Sequence, residues 1–188
     1  GIDKDEFTKG DGGAFRKQYG IPDEAFVVGF VSRLGPEKNI KFLANAMKSV
    51  LEKDENTYLV VAGEGTESET IKNILKNFEN RVKFTGLLKN DYLINAFHSF
   101  DLFAFASKTE TQGIVLLESM ASGVPVVAVK ACAVEDIVQP GINGFLTDEN
   151  ESQFIDAILR YKGLEPSEKE AFKNASIHTA EQFSYEKC

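Results

Sequence analysis

The sequence predicts a doubly wound α/β fold with a parallel sheet of about six strands, and three observations support that prediction. Short runs of consecutive apolar residues recur along the chain, as in strands buried on both faces. Segments with apolar residues at helical spacing separate these runs. The chain has 188 residues, of which 43% are hydrophobic and 27% charged, values typical of a globular protein with a substantial core. Helices are therefore expected on both faces of the sheet, joined to the strands by right-handed crossovers.

The predicted elements alternate along the chain. The predicted strands are 27–31, 58–62, 82–85, 102–106, 124–129 and 144–147. The predicted helices are 39–53, a helix opened by a capping box at 66–69, and helices at 91–98 and 114–122. Residues 1–20, in which glycines lie among charged residues, are expected to form an interdomain connector. Residues 21–188 are expected to form one domain, in which about the last twenty-five residues are a helical appendage.

The charge and the apolar runs exclude several classes of protein. A net charge of −8 opposes attraction to phosphate backbones, so no nucleic-acid partner is expected. No apolar run reaches the ~20 residues of a bilayer span, and no apolar signal core opens the chain, so a soluble chain is expected. The two cysteines, Cys132 and Cys188, are too few for a disulfide framework and favour a reducing, cytoplasmic setting.

No metal or other cofactor is predicted. His98 and His178 have no second histidine or cysteine at ligand spacing, which favours imidazoles on helix surfaces. The D-x-D pattern at 3–5 precedes every predicted strand and is more typical of a solvated connector. The glycines at 63 and 65 lack the third glycine of a dinucleotide fingerprint, so a tight turn is expected there. The sequence also lacks a P-loop motif and a nucleophile with a histidine nearby in sequence.

The loop after the first predicted strand carries two cations toward the expected ligand crevice. In doubly wound sheets, ligands bind outside the carboxyl ends of the strands. Residues 32–39 place Arg33 and Lys38 there, and the loop leads into a helix N-terminus, which also favours anions. These residues fit a polyanionic ligand. A solvated loop in which Lys38 pairs with a neighbouring glutamate is an equally good interpretation of the residues alone.

Residues 108–123 contain two carboxylates in different environments. Glu110 lies in the loop after the fourth predicted strand, whereas Glu118 lies inside a largely apolar helix. A carboxylate in such a helix needs hydrogen-bond donors, and sugar or ribose hydroxyls would supply them. Gly113 lets backbone amides approach an anion at the start of that helix. The structural alternative is that Glu118 bonds a backbone group and Glu110 caps the helix.

Five motifs follow one another in a specific order. They are Arg33 with Lys38 five positions on, Ala-Gly-Glu-Gly at 62–65, Phe-Thr-Gly-Leu-Leu at 84–88, Glu110 with Glu118 eight positions on, and Met-Ala-Ser-Gly-Val-Pro-Val-Val at 120–127. With this set, the chain resembles the C-terminal, donor-binding domain of retaining GT-B glycosyltransferases of family 4, over nearly its whole length. The resemblance implies a Rossmann-like domain that is one half of a GT-B enzyme.

The resemblance implies a role for each matching residue. Arg33 and Lys38 resemble a clamp on the donor diphosphate, and Glu110 resembles the carboxylate that binds donor-sugar hydroxyls near the anomeric centre; these three are the implied catalytic residues. Glu118 resembles the ribose ligand. The further substrate-binding residues implied are Gly113 and Ile114, whose amides meet a phosphate, Thr111 and Gln112 beside them, and Gly86, Leu87 and Leu88, which bind the base. Two cations and a helix dipole would stabilise the departing nucleoside diphosphate without a metal.

The resemblance also suggests the donor and the acceptor. The donor implied is a nucleotide sugar, with UDP-glucose favoured among UDP-, ADP- and GDP-sugars. The segment 109–113 is similar to family members that glucosylate membrane diacylglycerol, which implies peripheral membrane association of the full-length protein at the inner face. The segment 131–133 departs from the glycine pair of many relatives. The acceptor would bind mainly to an N-terminal domain that this sequence lacks, so the domain by itself is expected to be inactive.

Two other functions compete with the transferase interpretation. One is a nucleotide-binding module without transfer chemistry, and the other is a GT-B-like epimerase acting on a nucleotide sugar. The spacing of Glu110 and Glu118, together with Arg33 and Lys38, favours transfer. Activity toward an acceptor would distinguish transfer from epimerisation.

Overall fold

A computed structural model describes residues 4–186 of the chain. Its six strands form one parallel sheet in the order β3-β2-β1-β4-β5-β6. The strands are β1 (Phe26–Val31), β2 (Thr57–Ala62), β3 (Val82–Gly86), β4 (Leu102–Phe105), β5 (Val126–Val129) and β6 (Gly144–Thr147). The helices are α1 (Lys4–Phe7), α2 (Gly12–Tyr19), α3 (Ile40–Lys53), α4 (Ser68–Ile74), α5 (Asn90–Ser99), α6 (Ile114–Ala121), α7 (Cys132–Ile137), α8 (Glu151–Lys162) and α9 (Pro166–Glu186). The predicted doubly wound, Rossmann-like fold is confirmed.

The sheet is buried on both faces, as the apolar strand runs predict. Alternate residues of β1 face opposite ways: Val28 packs in the layer that contains α3 and α8, and Val27 packs in the layer that contains α5 and α6. Met47 and Phe154 belong to the first layer, and Phe97 to the second. Because neither face meets water, the strands carry no polar alternation in the sequence.

The observed strands and the helices α3, α5 and α6 begin and end within two residues of the predicted positions. The fifth strand was predicted from Val124 but begins at Val126, because the Val124 amide donates to the Ser119 carbonyl and so completes the turn after α6. The predicted capping box at 66–69 is wrong. Helix α4 begins at Ser68 without a side-chain cap, and the Glu67 amide instead donates to the Leu34 carbonyl in the loop after β1.

The segment expected to be a connector is folded against the domain where the structure describes it. Asp11 caps α2 by accepting the Ala14 amide at 2.9 Å, and Phe15 is buried. The Arg16 guanidinium donates to the Ser99 carbonyl at 2.8 and 3.0 Å and pairs with Asp101 at 3.1 Å. These contacts join α2 to α5 and to the start of β4. An interdomain role for residues 1–20 stays a prediction, and residues 1–3 lie outside the described part.

The end of the chain is part of the core. Phe154 and Ile158 of α8 are fully buried against the sheet, and α9 packs along α6. The appendage was predicted for about the last twenty-five residues, which is α9, and α9 is packed on the domain with Phe172 and Ala180 buried. Helix α8 was not predicted, although its apolar residues follow helical spacing and fill the face of the sheet beside α3.

Candidate functional site

The strand order places the loops after β1 and β4 side by side. β1 and β4 are neighbours in the sheet, but their crossovers run in opposite directions, which opens a crevice at their carboxyl ends. Side chains join the two loops there. The Asn39 amide group donates to the Ala106 carbonyl at 3.1 Å, and the hydroxyls of Ser107 and Thr109 lie 3.4 Å from the Glu37 carbonyl oxygen. This junction is the candidate site.

Main-chain hydrogen bonds join the loops after β1, β2 and β3. The Leu34 amide donates to the Glu64 carbonyl at 2.8 Å, and the Gly63 amide donates to the Gly86 carbonyl at 2.9 Å. Gly63 has a φ of 144°, and a Cβ built on it would lie 1.8 Å from the Ser32 carbonyl oxygen. Glycine is therefore required where the second loop meets the first. The expected tight turn at 63–65 serves this close approach.

Arg33 and Lys38 both lie in the first loop, as predicted. The Arg33 side chain, 68% exposed, pairs with Glu37 through contacts of 2.6 and 3.1 Å. That hydrogen bond holds the pKa of the Glu37 carboxyl below its ordinary value, with a smaller contribution from Lys38. Lys38 is half-buried and has no ion pair with a described carboxylate. The alternative that Lys38 pairs with a neighbouring glutamate is therefore wrong, because Arg33 takes that role.

Glu110 caps its own loop. Its Oε1 atom accepts the amides of Gln112 at 3.1 Å and Gly113 at 2.8 Å, just before α6 begins at Ile114. The capping alternative raised by the sequence is thus observed for Glu110. The Gly113 amide was expected to contact a phosphate of the ligand, but it already donates to Glu110. The remaining oxygen, Oε2, takes no part in these two bonds, so capping leaves one carboxylate oxygen for a ligand.

Gly113 is buried and lies in the left-handed region, with a φ of 67°. A Cβ there would come within 2.2 Å of Ile137 on α7, so glycine lets the start of α6 pack against that helix. Ile114 is 38% exposed, and Thr111 and Gln112 are exposed beside it. The first amides of α6 therefore face the edge of the sheet where the crevice opens.

Glu118 lies one turn into α6 and is half-buried. Its carboxylate makes no hydrogen bond to another described group, so the alternative of a backbone partner is not observed. Burial, with a smaller contribution from the charge of Glu6 on α1, raises the pKa of Glu118 to about 7. An acceptor with no protein donor beside it is suited to hydroxyl donors from a ligand.

The loss of stability that comes from burying the Glu118 carboxylate can be measured. A raised folded-state pKa means that the chain loses stability as pH rises from 4.5 toward 7, because the folded state must ionise a half-buried group. A shift of this size corresponds to about 3 kcal/mol, and solvent screening reduces the expected effect to about 2 kcal/mol. At pH 8 the Glu118→Gln variant should therefore resist urea better than the unmodified chain by about this amount. Below the unfolded-state value of 4.5 the two should be equal.

The matched control for that measurement is Glu52→Gln, a change at an exposed position on α3. Equal stability of the Glu118→Gln variant and the unmodified chain at pH 8 would contradict the assigned burial cost.

Gly86, Leu87 and Leu88 lie at the end of β3, as predicted. Gly86 has a φ of 70°, and its carbonyl accepts the Gly63 amide and the Thr85 hydroxyl. Leu87 is 59% exposed, and together with Leu88 and Tyr92 it lines a shallow cleft. These residues lie on the same edge of the sheet as Arg33 and Glu110, two strands away from β1.

The residues that join the loops were not predicted from the sequence. Asn39, at a φ of 56°, was included in a helix, and the Ser107 and Thr109 hydroxyls were given no role. The signal available was the residue type, because asparagine adopts left-handed backbone several times more often than most residues do. Within residues 4–186, no cluster of three or more His, Cys, Asp or Glu residues could hold a metal ion. The expectation of a metal-free site stays a prediction.

Comparison with known proteins shows the family to which this chain belongs. The family model for glycosyl transferases group 1 matches residues 12–178. The chain belongs to the group 1 glycosyl transferases. A sulfoquinovosyl transferase, SQD2, of Arabidopsis thaliana is 34% identical over 152 residues, which cover 78% of this chain and 28% of that protein. The alpha-monoglucosyldiacylglycerol synthase of Streptococcus pneumoniae is 37% identical over 115 residues, which cover 60% of this chain and 26% of that protein.

One solved structure matches this group 1 domain over nearly its whole length. Anabaena Alr3699/HepE in complex with UDP-glucose has a TM-score of 0.86 and 27% identity, covering 97% of this chain and 51% of that one. The chain thus spans about half of that protein and less than a third of the two curated relatives. No helix within residues 4–186 of this group 1 domain is both long and apolar enough to cross a membrane.

Proposed function

We propose that the chain is the donor-binding domain of a retaining family 4 glycosyltransferase that moves a hexose from a nucleotide sugar to an acceptor. The observation that carries this proposal is the junction of the loops after β1 and β4. There the loop that carries Arg33 and Lys38 contacts the loop that leads into α6, at the switch point of the sheet. Two cations and a helix N-terminus match the charge of a diphosphate leaving group.

In this proposal each residue binds a different part of the nucleotide sugar. Arg33 and Lys38 bind the diphosphate and stabilise the charge that grows as the bond to the sugar breaks. Glu118 accepts hydrogen bonds from the ribose, and Glu110 binds sugar hydroxyls through Oε2 while Oε1 keeps the loop in place. Gly86 and Leu87 meet the base. Because Arg33 is paired with Glu37, diphosphate binding requires the guanidinium to exchange or share that partner. No metal takes part in this scheme.

The donor we propose is UDP-glucose, and the acceptor a membrane glycerolipid. The donor is supported by the UDP-glucose complex of the Anabaena enzyme. The acceptor is supported by the name of the streptococcal relative, an alpha-monoglucosyldiacylglycerol synthase. Such an enzyme would work on the cytoplasmic face of a membrane, with an N-terminal domain binding the lipid. The retaining outcome rests on the resemblance of the ordered motifs.

The test is calorimetric titration of the chain with UDP-glucose, and with the ADP and GDP conjugates. We expect UDP-glucose to bind most tightly and Arg33→Ala to weaken its binding about tenfold, since a charge-assisted pair with phosphate is lost. The control is Arg160→Ala, which removes an exposed arginine from α8. Unchanged affinity of the Arg33→Ala variant, or no affinity for any nucleotide sugar, would overturn the proposal. Transfer of glucose to diacylglycerol by the full-length protein tests the acceptor.

A further inference from the structure

A cleft of about 400 Å³ lies at the amino edge of the sheet, opposite the candidate donor site. It opens where β1, β4 and β5 begin, and we call it the amino-edge cleft. Phe26 and Phe100 contribute apolar surface, and Lys169 and Lys173 of α9 contribute charge. None of these residues has a part in the proposed donor site.

Tyr161 gives this cleft a hydrogen-bonding group without a protein partner. The residue is 4% exposed, and its ring packs against Phe26, Phe145 and Phe172. Its hydroxyl makes no hydrogen bond to another described group, although it lines the cleft. Burial, then the charges of Asp101 and Glu170, raise the pKa of this hydroxyl, so it stays a donor. Because this hydroxyl opens into the cleft, a ligand oxygen there can accept its proton.

The charges around the cleft favour an anion. Lys169 and Lys173 are one helical turn apart, and neither has an ion pair with a described carboxylate, although Glu170 lies between them on α9. Like charges at this spacing destabilise a helix slightly, a cost that a bound anion offsets. A second cleft shares Lys173 and His98 with the first and adds Lys9. This accumulation of lysines stands out in a chain of net charge −8.

Arg16, Asp101 and His98, which also line the cleft, already have partners. The Arg16 guanidinium donates to the Ser99 carbonyl and pairs with Asp101, so both shape the wall. His98 shares a hydrogen bond of 2.6 Å between its Nε2 atom and the Phe7 carbonyl. Glu170 is therefore the lining carboxylate that is not neutralised by a described cation. The two α9 lysines and Lys9 outweigh it.

We propose that the amino-edge cleft binds an organic phosphate, with the phosphate on Lys169 and Lys173, the Tyr161 hydroxyl donating to it, and an apolar body on Phe26 and Phe100. Phosphate suits two neighbouring ammonium groups and a hydroxyl donor. An apolar substituent gains by covering the aromatic rings. The phosphate could be that of a soluble metabolite or of a lipid headgroup, and both carry the same chemistry.

The experiment is NMR titration of the isotopically labelled 188-residue chain with phenyl phosphate, inorganic phosphate and vesicles containing phosphatidic acid. Phenyl phosphate should shift amide resonances around Gly123, Tyr161 and Lys169. The double variant Lys169→Gln with Lys173→Gln should weaken binding about tenfold or more, and Tyr161→Phe should weaken it several-fold. The charge-matched control, Lys53→Gln with Lys76→Gln, changes exposed lysines elsewhere. Thermal unfolding confirms that each variant is folded.

Each result of the titration supports or overturns a stated part of the proposal. Binding to phenyl phosphate supports a soluble ligand, and binding to vesicles alone supports a lipid headgroup, provided that the lysine double variant weakens it. Equal binding of inorganic and phenyl phosphate would overturn the apolar half of the proposal. Binding that the double variant leaves unchanged, binding that saturating UDP displaces, or no binding at millimolar concentrations would overturn the site itself. Apart from the displacement by UDP, these results do not depend on whether the chain binds UDP-glucose.

Discussion

Replacing Asn143 with alanine is expected to lower the free energy of unfolding by about 4 kcal/mol. The side chain is fully buried between the turn before β6 and α9. Its Oδ1 atom accepts the Gln139 amide at 2.7 Å, and its Nδ2 group donates to the Ile137 carbonyl at 3.1 Å and the Thr179 hydroxyl at 2.9 Å. Alanine would leave these three partners without their bonds in a buried site, and each such loss costs about 1–3 kcal/mol.

Urea unfolding followed by circular dichroism measures this effect. Asn45→Ala is the matched control, because Asn45 is exposed on α3 and alanine is the better helix former there. That variant should be as stable as the unmodified chain or slightly more stable. Loss of less than about 1 kcal/mol in the Asn143 variant would show that water or local rearrangement satisfies the three partners. The expected loss is a large fraction of the stability of an ordinary domain.

Replacing Gly63 with alanine is expected to lower the free energy of unfolding by about 3 kcal/mol and to weaken UDP-glucose binding. The new Cβ would meet the Ser32 carbonyl oxygen, a backbone atom that moves only if the first loop moves. The left-handed φ of 144° adds strain for any other residue. Because Ser32 precedes Arg33, a shift of this loop would displace the proposed diphosphate clamp.

The Gly20→Ala variant separates the strain of a positive φ from the close contact of a new Cβ. Gly20 also has a left-handed φ, 68°, but a Cβ there would meet nothing within 4 Å. That variant should lose only about 1 kcal/mol and keep its affinity for UDP-glucose. Denaturant unfolding and calorimetry on the same samples give both quantities. Equal losses in the two variants would contradict the close-contact argument.

The fold was largely predictable because strands buried on both faces leave continuous apolar runs. β1 and β2 are such runs, and α3 repeats apolar residues over almost four turns. Short helices escaped prediction for the opposite reason. α1 has four residues and α7 has six, too few to establish a period, and tertiary contacts stabilise them.

The candidate site was predictable in position more than in detail. A residue that follows a strand in a parallel sheet must lie at the carboxyl edge, so Arg33, Gly86 and Glu110 could be placed from the sequence. Their partners could not. The pairing of Arg33 with Glu37 depends on the bend of the loop, and the capping by Glu110 depends on where α6 begins. Both are settled by backbone geometry that residue types alone do not specify.

The main-chain bonds between the first three loops have an evolutionary consequence. The amides of Leu34 and Gly63 bind carbonyls of neighbouring loops, so the path of the chain around the site does not depend on which side chains the loops carry. Substitutions at Glu64 or Leu87 can therefore change what the crevice contacts while the crevice keeps its shape. One framework can therefore diversify toward different ligands by point mutation, provided that the glycines at the contacts are retained.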